Sequence, residues 1–221
     1  MGEQFRKRVW KMKQIILVRH GETEWNVKEV FRGRIDIELN KTGVKQAQLL
    51  AEHLSNIKID AIYSSPLKRA LTTAEIVAAC HKLDVVIEPS LIDFDYGEWQ
   101  GLSRQEVRDK YKELYAQWFT HPELVRMPAG ESLDEVRERA VSVVDRVKAR
   151  HEGNVILVSH RVVNKVLICA LLGLDNSHFW NIRQDTCGLT FFTYENGRFI
   201  LTKHNDTSYL KPLGGGALSD F

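Results

Sequence analysis

Cysteine is scarce. The 221 residues include Cys80, Cys169 and Cys187 and no others, too few and too scattered for a disulfide framework or for a metal site with closely spaced ligands. Reduced, mostly buried thiols in a cytoplasmic protein are the expectation. No apolar run approaches the length of a membrane span, so no membrane partner is expected. The start of the chain carries Arg6, Lys7, Arg8, Lys11 and Lys13 but no apolar core, which speaks against a secretory signal and for a basic N-terminal extension over residues 1–13. No internal repeat or linker divides the rest of the chain. One domain over residues 14–210 is expected, with residues 211–221, rich in glycine, as a flexible tail. Charge of one sign is lacking too: a net charge of +2 demands no nucleic acid and still permits an anionic substrate, because a few arginines converging on one pocket outweigh the total.

Against this background stands Ile15-Ile16-Leu17-Val18-Arg19-His20-Gly21-Glu22-Thr23-Glu24-Trp25-Asn26. Four apolar residues, three of them β-branched, read as a short strand buried on both faces. An arginine and a histidine then end the run, followed by a glycine that lets the backbone turn, at the place where open α/β sheets bind ligands. A lone strand-end histidine is more often a hydrogen-bonded core residue than a catalyst. Here Asn154-Val155-Ile156-Leu157-Val158-Ser159-His160 repeats the same design.

Between these runs the periodicity predicts a helix over residues 42–55 capped by Thr42, and a strand over residues 60–64. Ser65 and Pro66 are expected to cap and open a second helix, placing Arg69 in its first turn. There an arginine adds bidentate phosphate donors to a helix end that already favours anions. Residues 84–88 read as a further strand. Residues 103–119 read as one mixed helix, residues 120–130 as a loop of the kind that covers a site, and residues 133–147 as a helix with an apolar stripe. Residues 162–172 form another helix, ended by Gly173. Two strands joined through Asn196-Gly197 make a terminal hairpin.

The Arg19-His20-Gly21-Glu22-Thr23 run with Asn26, together with Ser64-Ser65-Pro66-Leu67-Lys68-Arg69-Ala70 and the strand ending in His160, resembles the histidine phosphatase superfamily, also called phosphoglycerate mutase-like. The resemblance covers about residues 14–210 and implies a three-layer α/β/α sandwich with a mostly parallel central sheet. It implies that His20 is the phosphoryl-accepting nucleophile, that Arg19, Arg69 and His160 hold phosphate oxygens, and that Asn26 is a further donor. Arg32 stands where relatives carry a neutral polar residue, and its part in the pocket stays open. So does that of Arg161, which replaces the family's glycine after the second histidine and is either a phosphate donor or solvent-facing. Gly130-Glu131-Ser132 also recurs in the family, where the glutamate supports the site; a helix-capping acid fits the residues equally.

The general acid of the family comes from the segment matched by Asp93-Phe94-Asp95-Tyr96-Gly97-Glu98-Trp99. Counting back from Gly97 lands on Asp93, where relatives carry glutamate. The shorter side chain must be brought closer, or Asp95 or Glu98 takes the role. The resemblance is nearest the phosphatase branch, including the α-ribazole phosphatases. The expected activity is hydrolysis of a small phosphorylated metabolite through phosphohistidine, without metal or cofactor. The alternatives are a phosphoglycerate mutase and a phospho-ligand binding module with little turnover. A mutase of this family carries adjacent arginines after the acid, and residues 113–127 hold only Arg126. A homodimer is left open.

Overall fold

The two runs that end in histidine become the central strands. In the structure, a computed structural model that describes residues 14–214, β1 (Gln14–Arg19) and β4 (Asn154–Ser159) pair in parallel, with Arg19 opposite Ser159. β4 also pairs in parallel with β2 (Ala61–Ser64), which pairs in parallel with β3 (Val85–Ile87). On the other side of β1, β5 (Leu189–Glu195) runs antiparallel and leads into β6 (Arg198–Asp206), giving the order β3-β2-β4-β1-β5-β6. The hairpin turns at Asn196 and Gly197, with φ of 52° and 82°, the left-handed pair that a tight two-residue connection needs.

Side chains alternate across a strand, and here the alternation divides the core in two. Ile15, Leu17, Val155 and Leu157 face one cluster with Val136, Ala140 and Val143 of α6 (Leu133–Arg150) and Val163, Val166 and Leu167 of α7 (Arg161–Leu171). Ile16, Val18, Ile156 and Val158 face the other, with Leu50 and Leu54 of α2 (Lys41–Leu54) and Ala70, Ala74 and Val77 of α3 (Lys68–His81). The result is a three-layer α/β/α sandwich. Each fully buried aliphatic side chain in it contributes about 1.5–3 kcal/mol from burial.

Several boundaries differ from the sequence reading. Asn40, not Thr42, caps α2, its side chain accepting from the Gly43 N–H at 2.8 Å. Ser65 is not the capping residue of α3, which starts at Lys68 after Leu67; its hydroxyl accepts from the Leu67 N–H at 3.3 Å and meets His160 at 2.7 Å. A short helix, α1 (Glu24–Val27), follows the first motif and is closed by a capping box between Thr23 and Asn26. The expected helix over residues 103–119 is two, α4 (Arg104–Lys110) and α5 (Lys112–Thr120). The break is at Tyr111, whose ring lies 6.0 Å from that of Trp99 and whose hydroxyl donates to Glu98 at 2.8 Å.

The segment over residues 120–130 buries Val125 and Met127 in the core. Its Pro128 carbonyl accepts from the Glu98 N–H. It buttresses the segment over residues 93–99 and contributes none of the side chains that wall the cavity beside His20. Of the three thiols, Cys80 is exposed. At the end of the described chain, Ser208–Leu213 is a 3-10 helix that seats Leu210 in the cluster under α2, so residues 211–213 are ordered parts of the domain. The basic extension over residues 1–13 and residues 215–221 of the expected tail lie outside the described residues.

Candidate active site

The parallel register of β1 and β4 places both histidines at neighbouring strand ends. The His20 N–H donates to the Ser159 carbonyl at 3.0 Å, and the two imidazole centroids are 5.2 Å apart. The turn after β1 is pinned from three directions. The Cys187 N–H reaches the Arg19 and His20 carbonyls, the Gly21 N–H donates to Thr73 Oγ1 at 3.1 Å, and the Glu22 N–H donates to Gln46 Oε1 at 2.9 Å. Gly43 of α2 comes so close that a Cβ there would lie 2.1 Å from the Glu22 carbonyl oxygen.

His20 Nδ1 is 2.6 Å from the Gly21 carbonyl oxygen. A carbonyl only accepts, so Nδ1 carries the proton and Nε2 keeps its lone pair. Burial, then the charge of Arg69, the competing imidazole of His160 and the charges of Arg19 and Arg32, hold the imidazole well below its ordinary pKa. His20 is therefore neutral at pH 7, with a free nucleophilic nitrogen.

His160 caps α7, fully buried, and burial followed by the charges of Arg69, Arg139, Arg32 and Arg19 lowers its pKa as well. Its Nδ1 is 3.5 Å from Asp93 Oδ2, too long for a hydrogen bond. With the ring neutral, this contact is not an ion pair.

Arg69 is buried in the first turn of α3. It donates to the Gly33 carbonyl at 2.7 Å, the Ile35 carbonyl at 3.0 Å and Asp93 Oδ2 at 2.9 Å. Burial lowers its pKa, against the opposing pull of Asp93, yet a guanidinium stays charged throughout the accessible pH range. Arg19 is equally buried and donates to the Gln184 carbonyl at 2.7 Å. Arg32 and Arg161 wall the same cavity as His20, Asp93 and Tyr96, so Arg161 does not point to solvent.

Of the three candidate acids, the structure brings Asp93 alone to the histidines. Its Oδ1 accepts from the Phe94 N–H at 2.8 Å, which leaves Oδ2 facing Arg69 and His160. Asp95 accepts from the Gly97 N–H and pairs with Arg34 at 3.3 Å, while Glu98 is taken by Tyr111. Asn26 is buried near the turn, with its Oδ1 accepting from the Thr23 N–H and hydroxyl, each at 2.8 Å.

Sequence reasoning missed Arg139 and Arg34. Arg139, on α6, donates to the carbonyls of Ser90 and Ile92, each at 2.7 Å, and of Asp93 at 3.2 Å. Its guanidinium also meets both oxygens of Glu131, which in turn accepts from Arg34 and from the Asp95 N–H. Glu131 thus supports the acid loop. The helix cap beside it is made by Ser132 and Glu135 instead. No sequence spacing marks Arg139, which is one of several charged residues on a long helix.

Buried cations around a neutral imidazole, with a carboxyl group 2.9 Å from one of them, suit transfer of a phosphoryl group to nitrogen. Among the described residues no group of three or more His, Cys, Asp or Glu side chains could hold a metal ion, and no helix is long and apolar enough to cross a membrane.

Comparison with known proteins agrees with the geometry. Residues 15–207 match the histidine phosphatase superfamily (branch 1). Phosphoserine phosphatase 1 of Hydrogenobacter thermophilus is 40% identical over 200 residues, covering 90% of this chain and 95% of that protein. A metal-independent phosphoserine phosphatase of Arabidopsis thaliana is 37% identical over 205 residues, covering 91% and 84%. The crystal structure of a phosphoserine phosphatase from Entamoeba histolytica in complex with 3-phosphoglyceric acid superposes with a TM-score of 0.80. It is 30% identical and covers 90% of this chain and all of that one.

Proposed function

The chain belongs to the histidine phosphatase superfamily, branch 1, and we propose that it hydrolyses small phosphomonoesters through a phosphohistidine formed on His20. The observation that carries this reading is the neutral His20 imidazole with its proton on Nδ1, set among Arg19, Arg32, Arg69 and His160. His20 Nε2 attacks phosphorus, and the bond from phosphorus to the ester oxygen breaks. Arg19, Arg69 and neutral His160 hold the phosphoryl oxygens, whose charge is otherwise costly in a dry pocket. As the substrate phosphate takes over donors of Arg69, the Asp93 carboxylate released from it accepts the proton of the monoanionic phosphate and passes it to the departing alcohol. In the second half Asp93 accepts a proton from water. The water oxygen then attacks phosphorus, the P–N bond breaks, and phosphate leaves with His20 restored.

A phosphoglycerate mutase would need further cations after the acid segment. Arg126 is tied on the surface to Glu135, at 2.6 and 2.9 Å, and lines no part of the cavity, which favours hydrolysis over mutase chemistry. The names of the relatives make phosphoserine and 3-phosphoglycerate the first substrates to try.

The test is release of phosphate from a panel of phosphomonoesters, with and without a strong chelator. Because arginines supply the positive charge, turnover is expected to be unchanged by the chelator. Loss of turnover that a divalent ion restores would refute the mechanism.

A further inference from the structure

The phosphoryl end of the cavity is served by Arg69, Arg19 and Arg32, the arginines whose charges act on His20. A fourth guanidinium stands apart from them. Arg161, 5% exposed in the first turn of α7, lines the same cavity and donates to the Tyr96 hydroxyl at 3.3 Å. Of the charges that act on the Tyr96 phenol, that of Arg161 is the largest, ahead of Asp93 and Arg32, whereas Arg161 is not among the arginines that act most on the two histidines. Arg161 therefore belongs to the Tyr96 side of the cavity, where the departing alcohol of an attacked monoester would lie.

One turn along α7, Lys165 is 4% exposed, its ammonium 4.5 Å from the Phe179 ring centroid and 4.3 Å from that of Trp180. Arg161 lies over the same Trp180 ring, at 5.6 Å. Trp180 is itself fixed by donating to the Trp118 carbonyl at 2.6 Å. Two cations held against aromatic faces on one side of a helix concentrate positive potential in a wall of low dielectric. Asp93 lines the cavity together with Arg161, and Arg69 engages its carboxylate at 2.9 Å.

We propose that Arg161 is a specificity-determining residue that, with Tyr96 beside it and Lys165 behind it, receives a carboxylate carried by a short leaving alcohol. Phosphorylated hydroxy acids are then preferred over monoesters of neutral alcohols. A planar guanidinium suits a planar carboxylate, and a site built to pair with one polar group discriminates against an analogue that lacks it. This inference rests on the phosphatase reading of the same site.

The matched pair 3-phosphoglycerate and glycerol 3-phosphate tests it, since the two differ by a carboxylate in place of a hydroxymethyl group. Turnover gives the ratio of kcat/KM for the pair, and calorimetry on His20→Ala gives the ratio of Kd without turnover. Both ratios are expected to favour 3-phosphoglycerate by roughly 10- to 100-fold, the value of one charged hydrogen-bonded contact. Arg161→Met is expected to bring them close to one, and Arg161→Lys to leave them between. Equal affinities for the pair in protein that retains Arg161, or a preference that survives Arg161→Met, would overturn the subsite. Release of p-nitrophenol from p-nitrophenyl phosphate reports the phosphatase chemistry separately. If it is absent, that chemistry fails, while the binding ratios still decide on Arg161.

Discussion

At the scale of single residues, Asp93, the acid of the proposed mechanism, is one methylene shorter than the glutamate that the family resemblance implies, and its backbone is anchored to make up the reach. Arg139 holds the Asp93 carbonyl from behind at 3.2 Å, and the loop so held places the carboxyl at Arg69 and His160. If Asp93 protonates the leaving oxygen, Asp93→Asn slows hydrolysis of alkyl phosphates by about 10²–10⁴-fold. Aryl phosphates, whose leaving groups need little help, lose much less in the first step and show a burst of released phenol. Asp95→Asn and Glu98→Gln leave that leaving-group dependence unchanged, because their carboxylates serve the Gly97 turn and Tyr111. Rates across a series of leaving groups check all three variants.

His20, Arg19, Arg69 and His160 were legible in the sequence because each sits in a short contiguous run whose neighbours restrict its meaning. The tautomer of His20 was not, since it depends on one carbonyl contact. Nor was which of Asp93, Asp95 and Glu98 lies against the histidines, which turns on where each carboxylate finds a partner.

At the scale of elements, the site depends on how closely α2 approaches the turn after β1. Gly43 leaves no room for a side chain beside the Glu22 backbone, and that turn carries His20, the proposed nucleophile. Gly43→Ala is expected to push the two apart, lowering stability by about 1–3 kcal/mol, the usual cost of overpacking, and to lower kcat with it. Urea unfolding and steady-state rates measure both effects. A variant with unchanged stability and unchanged kcat would show that the approach does not matter.

Strands and helices were read from the sequence wherever a period ran uninterrupted, as in β1, β4 and α6. The misreadings have a common cause. Ser65 and Tyr111 look like an ordinary cap and an ordinary helical position, but each is drawn to a distant partner, His160 in one case and Glu98 with Trp99 in the other. Local pattern carries no record of such a partner.

At the scale of the whole molecule, keeping two buried histidines neutral makes stability depend on pH. In the unfolded chain each takes up a proton as pH falls through about 6.5, whereas in the folded protein burial and the surrounding arginines oppose it. The unfolded state then binds more protons, so stability falls as pH falls below that value, by about 1.4 kcal/mol per pH unit for each histidine held neutral. Asp206 and Glu135, both lowered to about 2, add losses only at more acidic pH, where unfolded carboxylates protonate. Between pH 7 and pH 5 the urea midpoint is expected to drop, and to drop less in the double variant His20→Asn, His160→Asn. Parallel slopes in the two proteins would contradict this account.

The central claim is that the phosphoryl group passes through His20, and the most direct test is to find it there. Asp93→Asn, which slows hydrolysis of the intermediate, is mixed with p-nitrophenyl phosphate, quenched in alkali during turnover, digested and read by mass spectrometry. The account predicts one phosphoryl group on the peptide bearing His20, stable to alkali and lost in acid, and none when His20→Ala is added. Phosphate on a different residue, or full turnover of p-nitrophenyl phosphate by His20→Ala alone, would contradict it.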